Sequence, residues 1–258
     1  MAKTALITGA SSGIGREIAR NLYKRGFRVI LCARREERLR ELAEELGENT
    51  RIIVCDVSKR EECIRLHDEV RDEKISVLVN NAGFGYVGSF DEVELDTELK
   101  MIDTNVTAVH ILTKLFLQDF IKADRGYILN TASSAGLMFG GPMMAAYYAT
   151  KAYVVSLTSA IYEELKAKGS NVHISAICPG PVDTEFNDVA NCKFGVKSIT
   201  PKYCADKAVS GMFAGKLIII PEASIKALSV GARLAPRQLV LKVTGKVQTK
   251  KIADRTGL

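Results

Sequence analysis

Thr8-Gly9-Ala10-Ser11-Ser12-Gly13-Ile14-Gly15 lies directly behind the apolar run Ala5-Leu6-Ile7 and ahead of a helical pattern, and this stretch decides the fold. A strand that breaks into a glycine-rich turn and restarts as a helix makes a cradle for phosphate. Gly9 permits the tight turn, Gly13 lets backbone N–H groups approach a pyrophosphate, and Gly15 lets the helix pack close to the sheet. Ser11, Ser12 and Ile14 complete the cradle, and the helix that follows offers the positive end of its dipole to the anion.

Outward from that turn, short apolar or β-branched runs at 4–8, 28–33, 51–55, 77–80, 127–131, 172–177 and 217–220 alternate with long helical patterns. Continuous apolar strands joined by helical crossovers predict a single doubly wound α/β domain. Its seven-stranded parallel sheet carries helices on both faces and binds ligands beyond the strand carboxyl ends. The 258 residues contain no linker or repeat, so the expected organisation is a nucleotide-binding and catalytic body over 1–221 with a tail over 222–258 of the same domain. The formal net charge of +6 belongs to that tail, which holds eight Lys/Arg against two acids.

Met1-Ala2-Lys3 runs straight into the first strand and no apolar run approaches a membrane span, so a cytoplasmic protein is expected. Six cysteines without C-x-x-C spacing and three scattered histidines, His67, His110 and His173, predict neither a disulfide framework nor a metal site. A basic tail on a neutral body is no nucleic-acid footprint. Leu228, Leu234, Leu239, Val240, Leu241 and Val243 mark amphipathic helices in it, expected to pack on the body or a neighbouring subunit, with membrane-surface docking the weaker alternative.

The expected chemistry sits after the strands. The second ends in Ala33-Arg34 with no acid to grip a ribose 2′-hydroxyl; a guanidinium there matches a 2′-phosphate and favours NADP(H) over NAD(H). Asp56 and Val57, after the third, are placed beside the adenine. In Asn80-Asn81-Ala82-Gly83, after the fourth, Asn80, Ala82 and Gly83 are assigned to the coenzyme, the small residues allowing close approach of a ring or ribose. Pro179, Gly180, Val182 and Thr184 break sharply after the sixth and are assigned to the nicotinamide end.

Tyr147 and Lys151 lie four apart on one helix face, where an ammonium lowers the pKa of a phenol and can also hold ribose hydroxyls. Two other pairs share that spacing, Tyr162/Lys166 and Tyr203/Lys207. Tyr162 is about 22 Å further along the same helix at 1.5 Å per residue, and Tyr203 follows no polar strand end. Only Tyr147 follows a strand ending in hydroxyls, Ser133-Ser134.

With these residues in order, the chain resembles the short-chain dehydrogenase/reductase family from Lys3 to about Ile220, on the glycine turn, Asn80-Asn81-Ala82-Gly83, Asn105, Ser133, Tyr147 with Lys151, and Pro179-Gly180. The resemblance implies a Rossmann-type fold, a homodimer or homotetramer, and a catalytic tetrad of Asn105, Ser133, Tyr147 and Lys151. It implies hydride transfer between NADP(H) and a carbonyl or secondary alcohol, with Tyr147 as the proton donor. In this family serine and tyrosine stand thirteen apart. Ser134 meets that count, whereas strand register favours Ser133, fourteen before Tyr147.

Substrate contacts are expected from the loops 84–88, 137–144 and 185–200, where Phe84, Leu137, Met138, Phe139, Met143, Met144, Phe186, Val189 and Phe194 suit a hydrophobic molecule. Two other readings remain: epimerisation or dehydration on the same scaffold, and a non-catalytic NADP(H)-binding sensor or scaffold.

Overall fold

The computed structural model describes residues 3–186 and 198–256, with side chains as far as residue 249. Seven strands, β1 (Thr4–Thr8), β2 (Arg28–Ala33), β3 (Thr50–Val54), β4 (Ile75–Asn80), β5 (Gly126–Thr131), β6 (Val172–Ile177) and β7 (Ile218–Ile219), form one all-parallel sheet in the order β3-β2-β1-β4-β5-β6-β7. The expected fold is therefore found, with strand ends shifted. The third strand begins one residue earlier than its apolar run, and the seventh is two residues long, a short edge that offers little to a foreign strand.

Alternate residues of each strand feed opposite layers. Ala5, Ile7, Val29 and Leu31 pack with α1 (Gly13–Lys24), α2 (Glu36–Leu46) and α7 (Pro201–Phe213). Leu6, Ile30, Leu78 and Ile128 pack with α3 (Arg60–Glu69), α5 (Ala108–Ala123) and the end of α6 (Ala145–Ala167). Burial on both faces explains why the strands read as continuous apolar runs. The chain leaves β1 for β2 on one side and returns as β4 on the other, so a crevice opens between the carboxyl ends of β1 and β4.

One helical stretch is interrupted. It is divided into α4 (Leu95–Ile102) and α5 by a wide π-type turn over Asp103–Thr107. Asn105 sits in that turn fully buried, an arrangement that single-turn bulges often serve at functional sites.

The tail forms α8 (Ala223–Leu234) and α9 (Arg237–Thr256), separated where Ala235 turns extended ahead of Pro236. Of its six expected apolar contacts, Val240 is buried and Leu241 is half-buried, while Leu228, Leu234, Leu239 and Val243 are exposed. Among the described residues no helix is long and apolar enough to cross a membrane.

Candidate functional site

The glycine turn is fastened to the end of β4 by side chains at both ends of the crevice. Thr8 Oγ1 donates to the Val79 carbonyl (3.2 Å) and accepts from the Asn81 and Ala82 amides (3.0 and 3.2 Å). Asn81 Nδ2 donates to the carbonyls of Thr8 (3.1 Å) and Gly9 (3.3 Å). Gly9 has φ +67°, and a Cβ on it would lie 2.8 Å from Ala82 Cα. On Gly15 a Cβ would lie 2.4 Å from both the Gly9 carbonyl oxygen and Asn81 Nδ2, so this glycine closes the turn on itself as well as bringing α1 to the sheet.

The cradle suits a pyrophosphate. Ser12, at the N-cap of α1, makes no side-chain cap bond, which leaves the first-turn amides for an anion. Gly13 adopts φ +55°, and a Cβ there would lie 3.1 Å from the Thr184 methyl, so the cleft between the turn and the segment after β6 is narrow. Ile14 packs its side chain on the core.

Asn80 and Asn81 divide the work differently from the sequence reading. The buried side chain of Asn80 donates to Thr113 Oγ1 (3.0 Å) and Asn130 Oδ1 (2.9 Å), under the sheet end, while Asn81 faces the turn. Ala82 and Gly83 do stand at the crevice: a Cβ on Gly83 would lie 2.9 Å from Asn105 Oδ1 and 3.3 Å from Lys151 Nζ.

Three of the four tetrad residues converge on this point. Asn105 Nδ2 donates to the Phe84 carbonyl (2.8 Å) and Thr150 Oγ1 (3.2 Å), and its Oδ1 accepts from the Phe84 amide (3.1 Å). Lys151 is buried, donates to the Thr131 carbonyl (2.8 Å), and holds its ammonium 5.9 Å from the centre of the Tyr147 ring. Burial lowers its pKa to about 8 from 10.5. Cys178, whose thiolate would raise the Lys151 pKa, is itself pushed up to about 12 by burial and is neutral at pH 7.

Tyr147 packs against Phe186 (ring centres 5.5 Å apart) and Tyr148 (6.4 Å). Gly85 is tight against it, since a Cβ would lie 2.9 Å from Tyr147 and 2.8 Å from Phe186. Ser133 caps the short turn Ser134–Leu137: its Oγ accepts from the Ala135 amide (3.1 Å), while the Ser134 amide donates to the Pro179 carbonyl (2.8 Å).

After β3, Asp56 Oδ1 accepts from the Ser58 amide (3.2 Å) and hydroxyl (2.8 Å). Burial raises the pKa of this carboxyl, but the Ser58 bonds and the charges of Arg34 and Lys100 outweigh it and hold it below its ordinary value. Arg34 is exposed beside it. Arg35, which the sequence reading passed over, donates to Ser11 Oγ (3.1 Å) and Ser12 Oγ (2.8 Å). Val57 is buried, its carbonyl accepting from Cys63 Sγ.

After β6, Val182 is buried and bridges Ile199, Gly180 donates to Glu222 (3.4 Å), and Thr184 Oγ1 accepts from the Phe186 amide (3.3 Å). Around Tyr147 lie Phe84, Met143, Met144 and Phe186, four of the nine residues expected in the apolar wall, joined by Tyr86. Leu137 instead packs into the core against Val154 and Cys178, and Val189 and Phe194 fall outside the described residues. The tail covers this wall. Gln248 donates to the Tyr148 hydroxyl (2.8 Å), Leu241 lies beside Gly140, and Arg237 stacks 5.0 Å from the Phe139 ring.

The family model described as short chain dehydrogenase matches residues 3–193. A very-long-chain 3-oxoacyl-CoA reductase of Anas platyrhynchos is 34% identical over 201 residues, which span 74% of this chain and 63% of that protein. A ketoacyl reductase (putative) of granaticin polyketide synthase from Streptomyces violaceoruber is 40% identical over 223 residues, 83% of this chain and 80% of that one. Among solved structures, a short-chain dehydrogenase from Sphingobium yanoikuyae in complex with NADPH superposes with TM-score 0.80 at 30% identity, covering 90% of this chain and 94% of its own. One from Burkholderia phymatum in complex with NAD gives 0.81 at 26% identity, covering 89% and 92%. A match over most of the chain, at these identities and on this sheet order, leaves one assignment: the chain belongs to the short-chain dehydrogenase family of NAD(P)-linked oxidoreductases.

Proposed function

We propose that this chain transfers hydride between NADP(H) and a ketone or secondary alcohol on an apolar, acyl-like substrate, with Tyr147, Lys151, Ser133 and Asn105 as its catalytic group. The observation that carries the reading is the buried Lys151 ammonium held between the Thr131 carbonyl, Gly83 and the Tyr147 ring. A buried cation there favours the phenolate form of Tyr147, which an acid–base catalyst of pKa near 10 needs to work near neutrality.

The bound coenzyme supplies the hydride, and the protein supplies orientation and protons. Gly9, Ser11, Ser12, Gly13, Ile14 and Gly15 would hold its pyrophosphate, Arg34 its 2′-phosphate, Asp56 and Val57 its adenine. Ala82, Gly83, Tyr147 and Lys151 would hold the nicotinamide ribose, at a strand end that Asn80 braces from within, with Pro179, Gly180, Val182 and Thr184 at the carboxamide.

In the reductive direction Tyr147 donates its phenolic proton to the carbonyl oxygen. The Ser133 oxygen already accepts from Ala135, so its own hydrogen is available to that same oxygen. Lys151, with a pKa near 8, returns a proton to the phenolate. Asn105 fixes the loop at Phe84 with its amide and keeps one Oδ1 lone pair to order a relay water.

The substrate class rests on the apolar wall around Tyr147 and on the oxoacyl reductases among the relatives. The protein assembles as a homodimer or homotetramer through α4, α5 and α6, where Leu95, Leu99 and Ile102 lie exposed. A fluorescence titration with NADPH and NADH, followed by nicotinamide absorbance with 3-oxoacyl thioesters and ketones, tests the reading. Tighter NADPH binding and turnover lost in Tyr147→Phe support it; coenzyme binding without turnover of any carbonyl would favour the sensor reading. Loss of turnover in Ser134→Ala but not Ser133→Ala would move the serine's role to Ser134.

A further inference from the structure

Glu185 stands across the cleft from the glycine turn, one residue past Thr184, yet its carboxylate is paired with two arginines of the opposite wall. Oε2 accepts from Arg35 Nη1 at 2.8 Å, and Oε1 accepts from Arg38. Arg35 is shared, because its Nη2 donates to Ser12 Oγ (2.8 Å) and Ser11 Oγ (3.1 Å) of the phosphate turn. Arg38, and after it Arg35, hold the Glu185 carboxyl below its ordinary pKa, so it is ionised at neutral pH. Arg35, Arg38 and Glu185 side chains are 45%, 40% and 43% exposed. Pairs this wet are individually weak and exchangeable.

A carboxylate and a phosphate monoester present the same oxygens to a guanidinium fork. Arg35 also sits on the serines of the glycine turn, next to Arg34, the residue after β2 that the sequence assigns to the ribose 2′-phosphate, and Arg38 stands one helical turn further on, sharing Glu185 with it. We propose that Glu185 is an internal competitor for the coenzyme's 2′-phosphate, occupying Arg35 and Arg38 and thereby holding the NADPH over NADH preference below what the arginines alone would give. The proposal rests on the NADP(H) reading above and widens its 2′-phosphate site from Arg34 to the neighbouring Arg35 and Arg38. NADH carries a neutral hydroxyl at this position and has nothing to gain from the same guanidiniums, so Glu185 penalises one coenzyme and not the other.

The test is a pair of fluorescence titrations, NADPH and NADH, on the full-length wild type, Glu185→Gln and Glu185→Asp. Glu185→Gln keeps the shape and removes the charge; it is expected to tighten NADPH about fivefold, on the scale of two exposed ion pairs, and to leave NADH within about twofold. Glu185→Asp, still an anion, should follow the wild type. Equal tightening of both coenzymes, no change, or weaker NADPH binding in Glu185→Gln would each overturn the proposal, the last by showing that Glu185 positions Arg35. The wild-type ratio separately tests the NADP(H) reading: if it shows no preference, that reading fails, while the ratio between Glu185→Gln and wild type still reports on Glu185.

Discussion

The two walls of the active-site cleft are held by different forces. On the nucleotide side, Thr8, Asn81, Gly9 and Gly15 interlock through backbone carbonyls and amides within 3.3 Å, and adjacent atoms leave no room for a methyl group. On the substrate side, Phe84, Tyr86, Met143 and Phe186 meet Tyr147 through apolar contact, and the tail closes over them with one side-chain bond, Gln248 to Tyr148. Directional bonds between main-chain groups define one geometry, whereas apolar contacts tolerate repacking. On the proposed function, the wall assigned to a constant coenzyme is the rigid one, and the wall assigned to the substrate is the adjustable one.

The Tyr147/Lys151 pair, proposed as catalytic, lies where the walls meet, and its removal has the largest expected effect. Tyr147→Phe should lower kcat/KM for carbonyl reduction by about 10²–10⁴, while the NADPH Kd weakens by about tenfold or less, the worth of one ribose hydrogen bond; a loss of coenzyme affinity comparable to the loss of turnover would mean that the two walls are not separable. Gly15→Ala should cost about 3 kcal/mol of stability by urea unfolding, because the Gly9 carbonyl it strikes is main chain and cannot swing aside. A melt like that of the wild type would show that the rigid wall is softer than its contacts imply.

Lys151 gives the comparison a pH dependence. Its pKa of about 8 lies below the 10.5 of the exposed group, so between these values the unfolded chain binds more protons than the folded one and stability rises with pH. The wild type should gain about 3 kcal/mol relative to Lys151→Met from pH 7.5 to pH 10.5, read from paired urea melts. A flat difference would mean that the ammonium is not desolvated.

Smaller effects belong to the substrate side. Gln248→Ala should cost about 1 kcal/mol and raise the KM of an acyl substrate while leaving NADPH affinity unchanged. Gly245→Ala, whose Cβ would meet only Pro142 at 3.3 Å, should be neutral or stabilising by up to about 1 kcal/mol through helix propensity. A loss larger than that would place the tail among the rigid parts of the molecule.

Much of the nucleotide wall was legible because its signals are local. Glycines at 9, 13 and 15 must accommodate a turn whose geometry is set within eight residues, and continuous apolar runs must be buried on both faces. The neighbours of that wall were legible only in part. Arg35 and Asn81, whose side chains brace the glycine turn, carry no signal of that role in the sequence, because successive residues after a strand diverge to different sides and composition does not say which side each faces. The break in the helix at Asn105 was invisible for a related reason: one extra residue in a turn leaves an apolar pattern almost unchanged.

The sequence by itself determined the sheet, the phosphate turn and the Tyr147/Lys151 pair, since each depends on spacing along one or two adjoining elements. Only the tertiary structure decided that Lys151 is buried against Thr131, that Gln248 reaches Tyr148 a hundred residues away, and that Glu185 crosses the cleft to Arg35 and Arg38. Such pairings bring together groups distant in the chain, and the free energy that selects them comes from packing and desolvation that no local pattern records.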